Sequence, residues 1–236
     1  MRTNEAFFLF FFPLNCCQIV ERCHLDRLDV YKDLTFHIFF IFSAINDAEK
    51  VEIRRNLLQN FGSEQVYQIA LQAAVAIGKV ARYDVPKDWP ELLPALVQAV
   101  QADESLVQHR ALLVLHHVIK ALSSKRLAAD RRVFHDMIEE LLPFVLPIWQ
   151  RYHGQMVQIF NSGQVDDESK ITPIIEKSIL VLKVIRKAII HGLKKPCENE
   201  NAMILIKALI DQIRVVLPFS EYFFPFHFNS IRYIFI

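Results

Sequence analysis

At 236 residues the chain has room for one or two ordinary domains or for a stack of helix pairs, and 53% hydrophobic residues with only 5 glycines favour helices joined by short connections over a sheet-rich fold. Lysine and arginine (27) nearly balance aspartate and glutamate (26), and a net charge of +1 excludes nucleic acid as a partner held by bulk electrostatics. Four cysteines, Cys16, Cys17, Cys23 and Cys197, are too few and too uneven for a disulfide framework and fit a reducing compartment.

Residues 1–45 form an aromatic-rich flank outside the helical pattern that follows. The runs 6–14 (AFFLFFFPL) and 36–42 (FHIFFIF) are both shorter than the ~20 residues that span a bilayer. The first also has Arg2 offset by Glu5 and is followed by no small-residue cleavage site, so neither secretion nor stable membrane insertion is expected. Cys16, Cys17, Cys23 and His24 lack the paired C-x-x-C spacing that brings two thiolates to one tetrahedral ion, and no metal is expected there.

From Asn46 onward the pattern is helical and the segments come in pairs. Asn46 and Glu49 form a capping box for a helix over 47–61, stopped by Gly62. The next helix, 64–81, puts Val66, Ile69, Ala70, Ala73, Ala74, Ile77 and Val80 on one face, with small residues that permit close approach of a neighbour. The run 81–96 (ARYDVPKDWPELLPAL) is a junction. Pro86 ends the preceding helix near Tyr83 or Asp84, Trp89 wedges between helix ends, and Asp88 is expected as N-cap with Glu91 closing a capping box and Pro90 in the first turn.

That second pair covers 88–101 and 104–122. In its second helix Val107, Ala111, Val114, Val118 and Ala121 line one face and Leu112, Leu115 and Ile119 another, the pattern of a helix sandwiched between neighbours. A third pair begins at Asp130 with a helix to about residue 160, kinked by Pro143 and Pro147. A loop over 161–169 leads to a partner that opens at Thr172-Pro173 and ends at Gly192. One more helix covers 199–217, and residues 218–236 are an aromatic C-terminal flank. Helix starts at Asp47, Asp88 and Asp130 are 41 and 42 residues apart, close to the HEAT period of about 40–47 residues. The expected fold is an all-α HEAT-repeat solenoid of paired antiparallel helices over 46–217. A four-helix bundle is disfavoured because the pairs recur with a period.

No glycine-rich phosphate loop, H-E-x-x-H or G-x-S-x-G occurs, and no catalytic residues, metal ligands or cofactor site are expected. His116 and His117 are adjacent, and His109 precedes His116 by seven residues, so none forms the i, i+4 pair of a helical metal site. Lys120, Lys125, Arg126, Arg131 and Arg132 concentrate positive charge around the turn between the second and third pairs. They are either a solvated loop or a docking patch for an acidic partner.

The junction, with Ala81, Asp84, Pro86, Trp89, Pro90, Leu92, Pro94 and Leu96 in the arrangement A-x-x-D-x-P-x-x-W-P-x-L-x-P-x-L, resembles the second-to-third repeat junction of the importin-β (karyopherin) family of nuclear transport receptors. Gln108-His109-Arg110-Ala111-Leu112-Leu113, followed by residues 124–131 (SKRLAADR), is similar to the importin-11 branch of that family. The resemblance covers about 47–217 and implies a non-enzymatic nuclear import receptor segment. Its implied partners are the small GTPase Ran in its GTP state, protein cargo and, at the pore, nucleoporins; its implied location is cytoplasm, nucleus and nuclear envelope. In such receptors the second helices of the early repeats form the face that binds Ran, which here means 64–81 and 104–122. The candidate contacts, expected to be exposed, are Gln65, Gln68, Gln72, Lys79, His109, Arg110, His116 and Lys120, together with the basic stretch Lys125, Arg126, Arg131 and Arg132. Residues 1–45 do not read as the family's first helix pair, and the near-neutral charge departs from the acidic balance usual in the family. A HEAT scaffold of a cytosolic complex, without GTPase dependence, is the alternative.

Exposed aromatic surface of the kind carried by 1–45 and 218–236 drives association. The full chain is therefore expected to dimerise or aggregate, and a fragment of residues 46–217 to be more soluble and to melt cooperatively. Light scattering on the two compares them directly, and a monomeric full chain beside an aggregating fragment would make the flanks true caps.

Overall fold

A computed structural model describes residues 46–162 and 168–216; the two aromatic flanks, the Cys16–Cys17–Cys23–His24 cluster and residue 217 lie outside the described residues. Within them the chain forms seven α-helices and no strand: α1 Asp47–Asn60, α2 Tyr67–Asp84, α3 Leu92–Val100, α4 Ser105–Leu122, α5 Ala128–Asn161, α6 Glu168–Lys187 and α7 Glu200–Val216. A π-helical turn, Ala188–Gly192, prolongs α6 to the glycine where the sequence places its end. The all-α, HEAT-type array follows the pattern of paired helices read from the sequence.

Local chemistry sets most of the ends. Asn46 Oδ1 accepts from the Glu49 N–H at 2.9 Å while Glu49 reaches back to the Asn46 N–H, the reciprocal box that opens α1. Asn199 caps α7 by accepting from the Ala202 N–H. Asp84 ends α2, as Pro86 requires.

The junction itself differs from the expectation. Asp88 is not a helix cap: residues 85–91 form a turn, α3 begins at Leu92, and its flanking residue is Glu91. A helix capped by Asp88 would need helical backbone angles at Trp89, its first residue, and the following Pro90 disfavours them. The Asp88 and Trp89 N–H groups instead both donate to the Asp84 carbonyl, at 2.7 and 3.1 Å, and fold the chain back on the end of α2. Pro94, rather than Pro90, occupies the first turn of α3. Two further starts move. α5 begins at Ala128, leaving Asp130 inside its first turn, and α6 begins at Glu168 with Pro173 in its interior, so Thr172 is not a cap and its buried Oγ1 has no partner.

The first helices of the three pairs thus start at residues 47, 92 and 128, 45 and 36 apart. The period is looser than the aspartate spacing suggests, because each turn is closed by different chemistry. α4 packs between α2 and α6 and is covered by α3, while α5 lies on α6 and meets α7. The second helices α2, α4 and α6 thereby form a continuous inner row, with α3 and α5 as an outer layer. Ala111 through Leu115, Val118, Ile119 and Leu122 of α4 are all buried, the double-faced burial that its two apolar stripes require. Trp89, 2% exposed, sits in the core at the junction. At Gly78 a Cβ would lie 2.9 Å from the His117 carbonyl oxygen, so glycine lets α2 and α4 touch backbone to backbone.

α1 is tied to the end of α2 by a buried ion pair. Arg54 Nη1 donates to Asp84 Oδ2 at 2.8 Å, and both residues are buried. Burial raises the Asp84 pKa above its usual value, more than the Arg54 charge lowers it. Removing one partner of such a pair strands the other charge. Arg54→Leu is expected to lower unfolding stability by about 3 kcal/mol at neutral pH, read from urea melts. Two controls check the cause: adding Asp84→Asn recovers much of the loss, and the loss shrinks on acidification as the carboxylate, already shifted upward, takes a proton and loses the charge that needs a partner. A loss independent of pH and of Asp84 would trace to packing alone.

Candidate partner-binding face

The inner row presents one stripe from each helix. On α2, Gln68, Gln72 and Lys79 recur at i, i+4 and i+11. On α4, His109, His116 and Lys120 recur at i, i+7 and i+11, and each set falls on a single side of its helix. Gln68, Gln72 and Lys120 are exposed, as is Gln65 just before α2, whereas Lys79, His109 and His116 are half-buried.

Arg110 is the clear correction among the candidates. It is buried, not exposed: its Nε donates to the Glu64 carbonyl and its Nη2 to the Gln65 carbonyl, both at 2.8 Å, and its guanidinium lies 5.8 Å from the centre of the Tyr67 ring. A planar fork of donors suits the carbonyls that precede a helix, and here Arg110 fixes where α2 begins. The neighbouring Gln108 is also structural. Its Nε2 donates to the Val100 carbonyl at 2.8 Å and its Oε1 accepts from the Tyr152 hydroxyl, joining α3, α4 and α5. Of the three residues Gln108-His109-Arg110, only His109 remains at the surface, stacked on Tyr67 with ring centres 6.2 Å apart.

The histidines form a neutral floor. Burial lowers the pKa of His109 to about 4, of His116 to about 3 and of His117 to about 4, with neighbouring cations adding to each shift. All three are uncharged at neutral pH. His116 and His117, though successive in sequence, meet edge to face with ring centres 5.1 Å apart, and His116 Nδ1 is buried without a partner. Among the described residues no group of three histidine, cysteine or acidic side chains is placed to hold a metal ion, and no helix is long and apolar enough to cross a membrane.

The basic stretch is divided between different surroundings. Lys125 is half-buried and paired with Asp130 at 3.3 Å. Arg126, Arg131 and Arg132 are exposed at the start of α5, with the Arg131 charge felt by His191 at the end of α6. Lys120 belongs elsewhere: it faces Lys79 across to α2 and Lys183 across to α6. Lys183 and Lys187 of α6 were outside the sequence-derived candidates. Their i, i+4 spacing was visible, but nothing local says that α6 lies beside α4.

No family model matches the chain, and no solved structure matches it. Among curated proteins, human importin-11 is 39% identical over 178 residues, 75% of this chain and 18% of its own length, and mouse importin-11 matches to the same extent. Importin beta-like protein kap113 of Schizosaccharomyces pombe is 31% identical over 157 residues, 64% of this chain and 16% of its own length. The chain thus spans under a fifth of the length of these relatives. Helix pairs at HEAT spacing, a junction built on Asp84 and Trp89, and agreement with relatives from mammals and yeast lead to one assignment: over this stretch the chain is importin-11-like and belongs to the importin-β family.

Proposed function

We propose that this chain acts as part of a nuclear import receptor, binding Ran in its GTP state and supporting the passage of protein cargo between cytoplasm and nucleus. The observation that supports this reading is the inner row itself. α2, α4 and α6 lie side by side, and among the described residues Gln68, Gln72 and Lys120 are left exposed with His109 half-buried between them, a surface on which a folded partner can span more than one helix. Neutral amides and imidazoles on that stripe donate and accept without the desolvation cost of charges, which suits a protein contact that must form and dissolve. Contacts with nucleoporins and residence at the nuclear envelope belong to the same reading.

Capture of purified Ran by the full chain tests it. Retention of the GTP-loaded form in preference to the GDP-loaded form is expected, and replacing Gln68 and Gln72 together by alanine should weaken that retention about fivefold while leaving the helical melt unchanged. Equal retention of both forms, or of neither, would overturn the GTPase role and leave the scaffold reading.

A further inference from the structure

The cations of the inner row are distributed unlike those elsewhere in the molecule. Lys50 pairs with Asp47, Arg54 with Asp84, Lys125 with Asp130 and Lys195 with Glu198. The side chains of Lys79, Lys120, Lys183 and Lys187, drawn from three different helices, have no hydrogen bond or ion pair with another described residue. They also cluster, because α2, α4 and α6 pack side by side and Lys183 and Lys187 stand one turn apart on α6. Lys79 feels Arg82 and Lys120, Lys183 feels Lys120, and the His116 ring between them feels Lys120, Lys183 and Lys187. Among the described residues, the charges acting on Lys79, His116, His117 and Lys183 are all positive. Glu176, on the same stripe of α6, stands seven residues before Lys183, about 10 Å along the helix axis.

Such a cluster costs the fold stability. Lys79, Lys183 and Lys187 are half-buried and lose hydration, exposed Lys120 adds its charge to theirs, and the neutral imidazoles beside them supply no counter-charge. Arg82 could have spread into the same space but is held back by its hydrogen bond to the Ala121 carbonyl at 2.9 Å and by a contact with Ser124. The chain as a whole is almost neutral, so the positive field is local to this face.

We infer that Lys79, Lys120, Lys183 and Lys187 form a binding strip for an acidic protein segment, a run of aspartate and glutamate carboxylates laid across α2, α4 and α6. Charge complementarity selects the occupant. Four ammonium groups on a floor of neutral imidazole match an extended peptide with several carboxylates, each oxygen accepting from lysine Nζ. Nucleic acid fits less well: the strip holds no arginine, and its four cations are fewer than the 6–10 phosphate contacts typical of such proteins. This inference rests on the reading of the inner row as a partner-binding face, but it does not require that the partner be Ran.

Fluorescence anisotropy of a labelled Asp/Glu-rich peptide with the full chain is the test, with a Lys-rich peptide and a single-stranded RNA of equal length as comparators. Expected results are saturable binding of the acidic peptide alone, weakening as salt is raised. Binding should fall by at least about tenfold in the triple variant Lys79→Glu, Lys120→Glu, Lys183→Glu. The neutral set Lys79→Gln, Lys120→Gln, Lys183→Gln should also weaken binding while melting no lower than the parent, because like-charge repulsion is relieved. Lys50→Glu with Lys195→Glu, at cations already paired with Asp47 and Glu198 on other segments, should bind as the parent does. Tighter binding of the RNA, or unchanged peptide binding in both triple variants, overturns the inference. Loss of Ran capture with peptide binding intact removes only the receptor reading, and capture of Ran-GTP without any peptide binding removes only this one.

Discussion

The close contact between α2 and α4 is the constraint on which the rest of the array depends. Ala70, Ala74, Ala81 and Ala111 are buried in the core these helices share, and at Gly78 the α2 backbone rests against the His117 carbonyl. Small side chains bring two helix axes near enough that the larger residues of α4, such as Leu112, Leu115 and Ile119, are left to fill the space toward its other neighbours. A bulkier residue at Gly78 would have to displace backbone, not a mobile side chain, and the displacement would pass to α3 and α6 through the same helix.

Residues that carry the family likeness prove to be mainly joints. Gln108 fastens the end of α3 and receives the Tyr152 hydroxyl of α5, Arg110 fastens the start of α2, and Asp84 gathers Arg54 through its side chain and two N–H groups through its carbonyl. Each joint saturates polar groups that helix ends leave open, and a buried group left open is costly. A polar residue fixed by such a task is unavailable for a partner, which is why Arg110 leaves the candidate surface while His109 beside it stays.

Much of the fold was legible because helix pairing is written in local signals. The Asn46–Glu49 box, Pro86 ahead of a turn and Gly192 as a stop act within a few residues, and their effects appear where expected. The failures at Asp88 and Thr172 share a cause. Both are plausible caps by residue type, but residue type alone does not place a helix start: α3 begins past Pro90 and α6 begins ahead of Pro173. The basic strip was hidden for a different reason: Lys79, Lys120 and Lys183 are far apart in sequence and become neighbours only because α2, α4 and α6 stack in a row.

Pro143 and Pro147 lie exposed within α5, while Leu142, Val145 and Trp149 around them are buried. Each proline removes the hydrogen bond that the carbonyl four residues earlier would receive, so the Glu139 and Pro143 carbonyls have no intrahelical N–H to accept from. The two gaps fall one turn apart in the outer layer, away from the α2–α4–α6 row. Bending the array there breaks fewer backbone bonds than bending it anywhere else along α5. The outer helix thus carries a built-in point of yielding, set apart from the backbone-to-backbone contact of α2 with α4.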